Sequence, residues 1–305
     1  MIINNDSLAN VLGTIRMHYK DGLAERVKPL PMWAQEIPST TKMEEFPITM
    51  LLATMREWIG GRIINGIDVK LLQMINRDFE LSWGIPTNDM EDDKIGYIGP
   101  VFSQAGKNAA NHPHKVAVDS LTANGDWLDG DAFFYATRAV GKSGTILNTI
   151  ATALTEDSFN AAVLTMQSYL LPNGEPAEVN PMKLVVGPKN RVVAHEIVNQ
   201  GPGATAANAN AGAAVIEVNP RLVGDFDDYW FLMDEERFGP PVLITNRKTG
   251  PIIALDKPTD STVFLGTASG TDGNVPGGVN VYGIHHRRVA TPALPWAIYR
   301  GGTGA

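Results

Sequence analysis

The apolar positions of this chain change period several times, and each change marks an element. Phe79, Leu81 and Trp83 alternate with Glu80 and Ser82, the period of a strand with one covered face. A polar, acidic turn follows, with Asn88, Asp89, Glu91, Asp92 and Asp93. Such residues suit a helix start, where free N–H groups and the positive dipole end favour carboxylates. Ile98, Val101, Phe102, Ala105 and Ala109 then fall at i, i+3, i+4, i+7 and i+11, one stripe of a helix. Gly96, Gly99, Gly106, Ala109 and Ala110 leave the flanks of that rod thin. Each internal Gly weakens a helix by about 1 kcal/mol, so the pattern predicts close approach of something to the backbone. Pro113 ends or kinks the rod, and residues 116–123 carry it on, for about 28 residues and about 42 Å.

Upstream, Leu8, Val11, Leu12, Ile15 and Tyr19 predict an amphipathic helix over 7–22. Residues 23–42 read as an extended polar arm, because Pro29, Pro31 and Pro38 block helix and Ser39, Thr40 and Thr41 compete for the backbone. A tether of that length is out of place inside a compact unit, so either a frayed terminus or an arm across a neighbour fits the residues. Phe46, Ile48 and Met50 alternate, as do Val69 and Leu71; between them lies a glycine-bearing tip over 52–66. The expectation is a long hairpin, marginal alone in water, whose apolar side chains and edges need a partner. Trp58 is its candidate anchor, and Arg56, Glu57 and Arg62 are candidate ion-pair partners across a subunit boundary; local packing fits Trp58 equally.

Downstream, turns are expected at Asn124-Gly125 and Asp129-Gly130. Residues 155–171 predict a helix with Thr155 as cap, Glu156 and Asp157 in its first turn, and Phe159, Ala162, Val163, Met166 and Leu170 inward. Further expectations are a buried strand over 183–186, a helix over 189–200, a loop over 201–214 too poor in bulk to pack, and strands over 215–218 and 229–233. A hairpin is expected to turn at 248–250, and the segments VNVYGIHHRRV and WAIYR are expected to run back along the rod as final strands. Helices and strands mixed in this way make an α+β fold.

Composition narrows the chemistry. With 305 residues the chain suffices for two compact domains, or one with large excursions, and a 44% hydrophobic content excludes wholesale disorder. The absence of cysteine removes disulfides, thiolate metal sites and cysteine nucleophiles. A net charge of −8 opposes simple DNA binding. The first residues lack a signal-peptide layout and no apolar run nears the roughly 20 residues of a membrane span, so a chain made and used inside a cell is expected. Motifs for catalysis fail one by one. Ala136 replaces the first glycine of a phosphate loop ending at Lys142, and Asn199 replaces the second ligand of a zinc motif begun by His195-Glu196. Asp225, Asp227 and Asp228 lack the rest of a calcium loop. His112 with His114, and His285 with His286, lack a third ligand; neighbours in a strand point to opposite faces, so structural roles are expected.

The run DMEDDKIGYIGPVFSQAGKNAANHPHK resembles the Mu-like major head subunit family of tailed-phage coat proteins. REWIGGR followed by FELSWGI, and then LTEDSFNAAVLTMQ, NPMKLVVGPKNRVVAHEIVN and AVIEVNPRLVGDFDDYWFLMD, fit the same family in order, across residues 1–265. GIHHRR matches nothing in it. The resemblance implies a Hong Kong 97-type coat fold: an N-terminal arm (1–42), an extended-loop hairpin (43–85), a peripheral domain with a spine helix (86–150), an axial domain (151–260), and return strands of the peripheral domain (261–305). It implies a major capsid protein that self-assembles as pentamers and hexamers of an icosahedral head and encloses double-stranded DNA without reading its sequence. Arm and loop would clasp neighbours, with Arg56, Glu57, Trp58 and Arg62 at the boundary, and thin flanks on the rod would let subunits slide as a precursor shell expands. Scaffolding protein, maturation protease and portal are expected as separate partners, in a virion assembled in the bacterial host cytoplasm. No catalytic residue, cofactor, metal or membrane contact is implied. Lys70, Lys94 and Asn65 offer no defensible cross-linking pair, so a non-covalent shell is expected. A cellular nanocompartment shell would share the fold; a soluble enzyme with an acidic cleft is the remaining alternative.

Overall fold

The computed structural model describes residues 5–25, 30–49, 69–86, 96, 98–140, 144–199, 208–249, 253–254 and 279–303. The N-terminal stripe becomes α1 (Asn5–Glu25), which buries Val11, Ile15 and Tyr19 at every fourth position. Then come β1 (Ala34–Pro38), β2 (Met43–Thr49), β3 (Val69–Ile75) and β4 (Arg77–Pro86). The rod is α2 (Ile98–Ala110) followed by α3 (His112–Ala123), broken at Asn111. Pro113 lies in the first turn of α3, where its missing N–H has no helical partner to lose, so it starts a helix rather than stopping one. The backbone N–H of Asn111 still reaches the Lys107 and Asn108 carbonyls at 3.2 Å. Ile98, Phe102 and Ala105 are buried as the stripe predicts, but Val101 is 41% exposed.

One five-stranded sheet is built on β13 (Val279–Pro292). On one edge β4 pairs antiparallel from Val279↔Pro86 to Arg288↔Arg77. On the other lie β11 (Val242–Thr249) and β12 (Ile253–Ala254), end to end, at Thr249↔His286 and Ile253↔Gly283. The expected hairpin with its turn at 248–250 is therefore not formed: both segments run the same way along β13, with a bulge between Asn246 and Lys248. β1 joins β11 in parallel, Ala34↔Val242 to Pro38↔Asn246. This overturns the reading of 23–42 as a tether that cannot pack on its own body. Trp33 is 1% exposed and its indole donates to Glu217 at 3.1 Å. Pro31 and Pro38 sit before and at the end of an edge strand, where a missing N–H is tolerated.

A second five-stranded sheet has the order β7 (Thr149–Ile150), β14 (Ile298–Gly301), β10 (Trp230–Met233), β8 (Lys183–Val186) and β9 (Val215–Val218). The short ribbon β5 (Arg138–Ala139) with β6 (Thr145–Ile146) stands beside it. Thus the segment expected to end the chain along the rod lies inside this sheet, while β11, expected in the axial part, belongs to the first. Trp230, Phe231, Leu232 and Met233 are all fully buried, so β10 is covered on both faces and needs neighbours on both edges. α4 (Glu156–Gln167) starts at a capping box: the Ser158 N–H donates to Thr155 Oγ1 at 3.1 Å and the Thr155 N–H to Ser158 Oγ at 2.9 Å. Its inward face is Phe159, Ala162 and Met166, and it stops at Ser168, short of 171. α5 (Arg191–Val198) is likewise shorter than expected. Residues 208–214, expected as unpacked loop, are fixed by hydrogen bonds instead of bulk. The Asn208 amide donates to the Ile197 carbonyl at 2.8 Å, and Ala214 is buried.

One apolar cluster runs through both sheets, while Val11, Ile15 and Tyr19 form a second, separate one with Ile85, Ile98, Phe102, Ala105, Tyr282 and Ile284. The sequence did not single out Arg138, which is 1% exposed, pairs with Asp129, donates to the Ala132 carbonyl at 2.6 Å and stacks on Trp127 at 4.7 Å. Arg138→Met should lower the unfolding free energy by about 3 kcal/mol, because Asp129 and the carbonyls lose a buried partner. Urea titration measures it, and an unchanged midpoint would show that water replaces the guanidinium.

Candidate subunit interfaces

Several of the histidines and carboxylates weighed as catalytic candidates are engaged structurally. The His195 ring meets the Asn199 amide at 2.7 Å, and Lys189 is gripped by Asp227 and Asp228 at 3.0 and 2.6 Å. His285 faces solvent beside Asp78 at 3.3 Å, while His286, one residue on, is 5% exposed on the opposite face. Among the described residues no group of three or more His, Asp or Glu could hold a metal ion, and no helix is long and apolar enough to cross a membrane. The acidic turn at Asp89, Glu91, Asp92 and Asp93, Lys142, and the interface candidates Arg56, Glu57, Trp58 and Arg62 lie outside the described residues.

What the described residues do build is a ribbon fixed at its base. β2 and β3 pair antiparallel from Met43↔Ile75 to Thr49↔Val69. At the entry, Glu44 Oε1 accepts from the Thr40 and Thr41 N–H groups at 2.8 and 2.9 Å and from the Ser39 hydroxyl at 2.9 Å. These donors hold its pKa down to about 2. At the exit, the Asn76 amide donates to Ser39 Oγ at 2.7 Å and its Oδ1 accepts from the Thr245 hydroxyl at 2.6 Å, tying the ribbon to β11. Neither Asn76 nor Thr245 carries a sequence signal, since their meeting depends on the tertiary fold. The inner face of the ribbon buries Ile48, Leu72 and Met74. Leu71, expected to share the inward alternation, is 48% exposed, and Met43 and Ile75 are 42% and 55% exposed on the same outer face. Opposed residues of an antiparallel pair share a face, so Met43 with Ile75 and Pro47 with Leu71 place two apolar pairs outward, on either side of the polar pair Glu45 with Gln73.

Beside the rod is a shallow recess of about 460 Å³, lined by Leu81, Trp83, Pro100, Val101, Gln104 and Asn108 among others. Its floor is ordered by Trp83 edge-on to Phe102 at 5.1 Å, and Phe79 contacts His112 likewise at 4.5 Å, so the period-two face of β4 does lie on the rod.

The thin flanks of the rod also find a partner, and it is in the same chain. A Cβ at Gly106 would stand 2.2 Å from the Tyr19 carbonyl oxygen and 2.7 Å from the Leu23 nitrogen. A Cβ at Gly22 would stand 2.0 Å from the Ser103 carbonyl oxygen, and one at Gly99 would stand 2.9 Å from the His18 ring; Gly96 has nothing within 4 Å. Lys107 and Glu25 close the contact at 2.8 Å. α1, read as crossing to a neighbour, is therefore seated on its own α2, with Gly22 against the backbone of α2 and Gly106 against the backbone of α1.

Residues 8–153, α1 through β7, match the sequence model of the family described as Mu-like prophage major head subunit gpT. Over those residues the chain is similar to the Mu-like major head subunit family. The major capsid protein of Escherichia phage Mu is 27% identical over 168 residues, 52% of this chain and 54% of the phage protein. The Mu-like prophage FluMu major head subunit of Haemophilus influenzae is 27% identical, over 46% of this chain and 47% of its own. The chain thus spans about half the length of these curated relatives. Among solved structures, the procapsid of bacteriophage JBD30 superposes with a TM-score of 0.54 at 20% identity, covering 98% of this chain and 75% of that one. The fold is the Hong Kong 97-type coat fold, of α+β class, and it extends beyond the family match into the second sheet.

Proposed function

We propose that this chain is a Mu-like major head subunit, a structural and non-catalytic capsid protein whose copies join as pentamers and hexamers into the icosahedral head of a tailed phage or prophage. The family match over the first half and the coat fold across nearly the whole length support that reading. The observation that carries it is the ribbon: it is rigidly based, apolar outward at Met43, Pro47, Leu71 and Ile75, and too narrow to bury both faces in its own body. Beyond the base, Arg56, Glu57, Trp58 and Arg62 are proposed to contact the neighbouring subunit. Each contact is weak, but every copy makes several, and effective concentration closes the shell. Peripheral and axial parts would centre on the first and second sheets. DNA is enclosed, not read, in keeping with the net charge of −8. Scaffolding protein, maturation protease and portal are separate partners in the host cytoplasm.

Expression with the cognate scaffold, followed by electron microscopy and sedimentation, is the test. Closed megadalton particles are expected, and boiling in detergent should return a single 32.9 kDa chain, since the shell is non-covalent. Trp58→Ala with Arg62→Ala should reduce particle yield at least tenfold. A monodisperse monomer under all these conditions would sink the proposal.

A further inference from the structure

The α1 seat contains a group of ionisable side chains that packing alone does not require. His286 on β13 points under α1, with its Nε2 3.5 Å from the Tyr19 hydroxyl and its Nδ1 3.4 Å from Arg288 Nη2. A guanidinium only donates, so Nδ1 must be the accepting nitrogen and the proton of the neutral ring sits on Nε2, facing Tyr19. A second proton would have to go on Nδ1, against the Arg288 N–H groups. Arg288 is 2% exposed, and its Nε and Nη1 have no hydrogen-bond partner; one carboxylate, Glu36 on β1, stands 3.7 Å from Nη1. From α3, the His112 ring lies 6.3 Å from that of His286, with its Nδ1 buried and unpartnered. Lys115 and Asp119 on α3 are paired with each other at 2.7 Å, and His285 faces the other side of the sheet. The one carboxylate near Arg288 is thus already matched by its guanidinium, so a charged imidazole would find no further counter-ion among these groups. The site is also reachable: both rings line a cleft of about 960 Å³ between the first sheet, the α2–α3 junction and the segment after β9.

We propose that the seat of α1 is a proton-operated latch, in which charging His286 and His112 against the buried Arg288 guanidinium releases α1 while the sheets stay folded. β13 runs through the centre of its sheet, paired on both edges, whereas α1 has no strand partner and packs on β4, α2 and β13 through side chains of the smaller apolar cluster, so α1 is the element that yields. Burial first, then the Arg288 charge, pushes both imidazoles from 6.5 down to about 4. The seated form therefore prefers neutral rings: docking is at full strength above pH 6.5 and weakens as pH falls from there towards 4.

Because the chain has no cysteine, spin labels can be placed at will. Labels at Thr14→Cys on α1 and Leu164→Cys on α4, both exposed, in full chains diluted with unlabelled protein, should give one narrow distance at pH 7.5. A second, broad population should grow below pH 6.5, and His112→Gln with His286→Gln should suppress it. On the unsubstituted chain, hydrogen exchange corrected for intrinsic rates should accelerate in 5–25 relative to β13 over the same interval, which keeps the test independent of how the double variant folds. An unchanged distance and exchange pattern down to pH 4, equal broadening in the glutamine variant, or loss of α1 only together with the near-ultraviolet signal of the body would each overturn the latch.

Discussion

Gly106→Leu should unseat α1 and leave the body folded. The Tyr19 carbonyl and Leu23 nitrogen stand where the new Cβ and its branch must go, at 2.2 and 2.7 Å, and both are helix backbone. Neither atom can turn aside as a flexible side chain would, so α1 has to move as a unit, and the 2.0 Å approach at Gly22 forbids a compensating slide. Moving it uncovers Val11, Ile15 and Tyr19, each now nearly fully buried. At about 1.5–3 kcal/mol per side chain, the lost burial is about 5 kcal/mol, enough to change α1 from seated to free. Trypsin should then cut at Arg16 and Lys20 at least a hundredfold faster than in the unsubstituted chain, while the amides of β10 and β13 remain protected. Gly13→Ala is the matched control: nothing lies within 4 Å of its added Cβ, and Ala favours the helix by about 1 kcal/mol. Equal protease resistance in both variants would mean that α1 is not held where the structure places it.

How this seat escaped the sequence illustrates what a chain shows of itself and what it hides. Thinness along the rod was visible at Gly99 and Gly106, and it correctly implied close approach. What approached was not visible, because nothing local distinguishes a helix from the same chain from one supplied by a neighbour. Local devices were legible: the Thr155 cap, the four-residue spacing of α1, the opposite faces of His285 and His286, and β10 as a buried run. Long-range pairings were not. β1 is five residues flanked by prolines, and its partner β11 begins at Val242, a parallel pairing with no turn to announce it. β14 reads as a terminal strand whichever sheet it joins. In LLQMI at residues 71–75 both registers are apolar, so alternation could not decide whether Leu71 or Leu72 faces inward; the inner face went to Leu72 and Met74. The interface candidates Arg56, Glu57, Trp58 and Arg62 fall outside the described residues. Tyr19 and His286, 267 residues apart, share no local pattern.

Replacing Met43, Leu71 and Ile75 together by Ser is expected to abolish shell closure without unfolding the subunit. These side chains are 42%, 48% and 55% exposed and lie on one face of the ribbon, so the isolated chain loses little buried area with them. The opposite face is the internal control: Leu72 is 4% exposed, and Leu72→Ala should lower stability by about 2–4 kcal/mol through the cavity it leaves. The two changes separate two roles of one hairpin. If the outer face is an intersubunit contact, the triple variant keeps its melting temperature within about 2 °C, as surface substitutions usually do. It should nevertheless sediment as free subunits or rings, because burying three apolar side chains contributes about 1.5–3 kcal/mol each at every copy of the contact and the loss recurs throughout the shell. Leu72→Ala should show the reverse, with a lowered melting temperature and particles still closing below it. Normal particles from the triple variant would instead assign the outer face to solvent and leave closure to the far end of the ribbon, where Arg56, Glu57, Trp58 and Arg62 would then have to supply it.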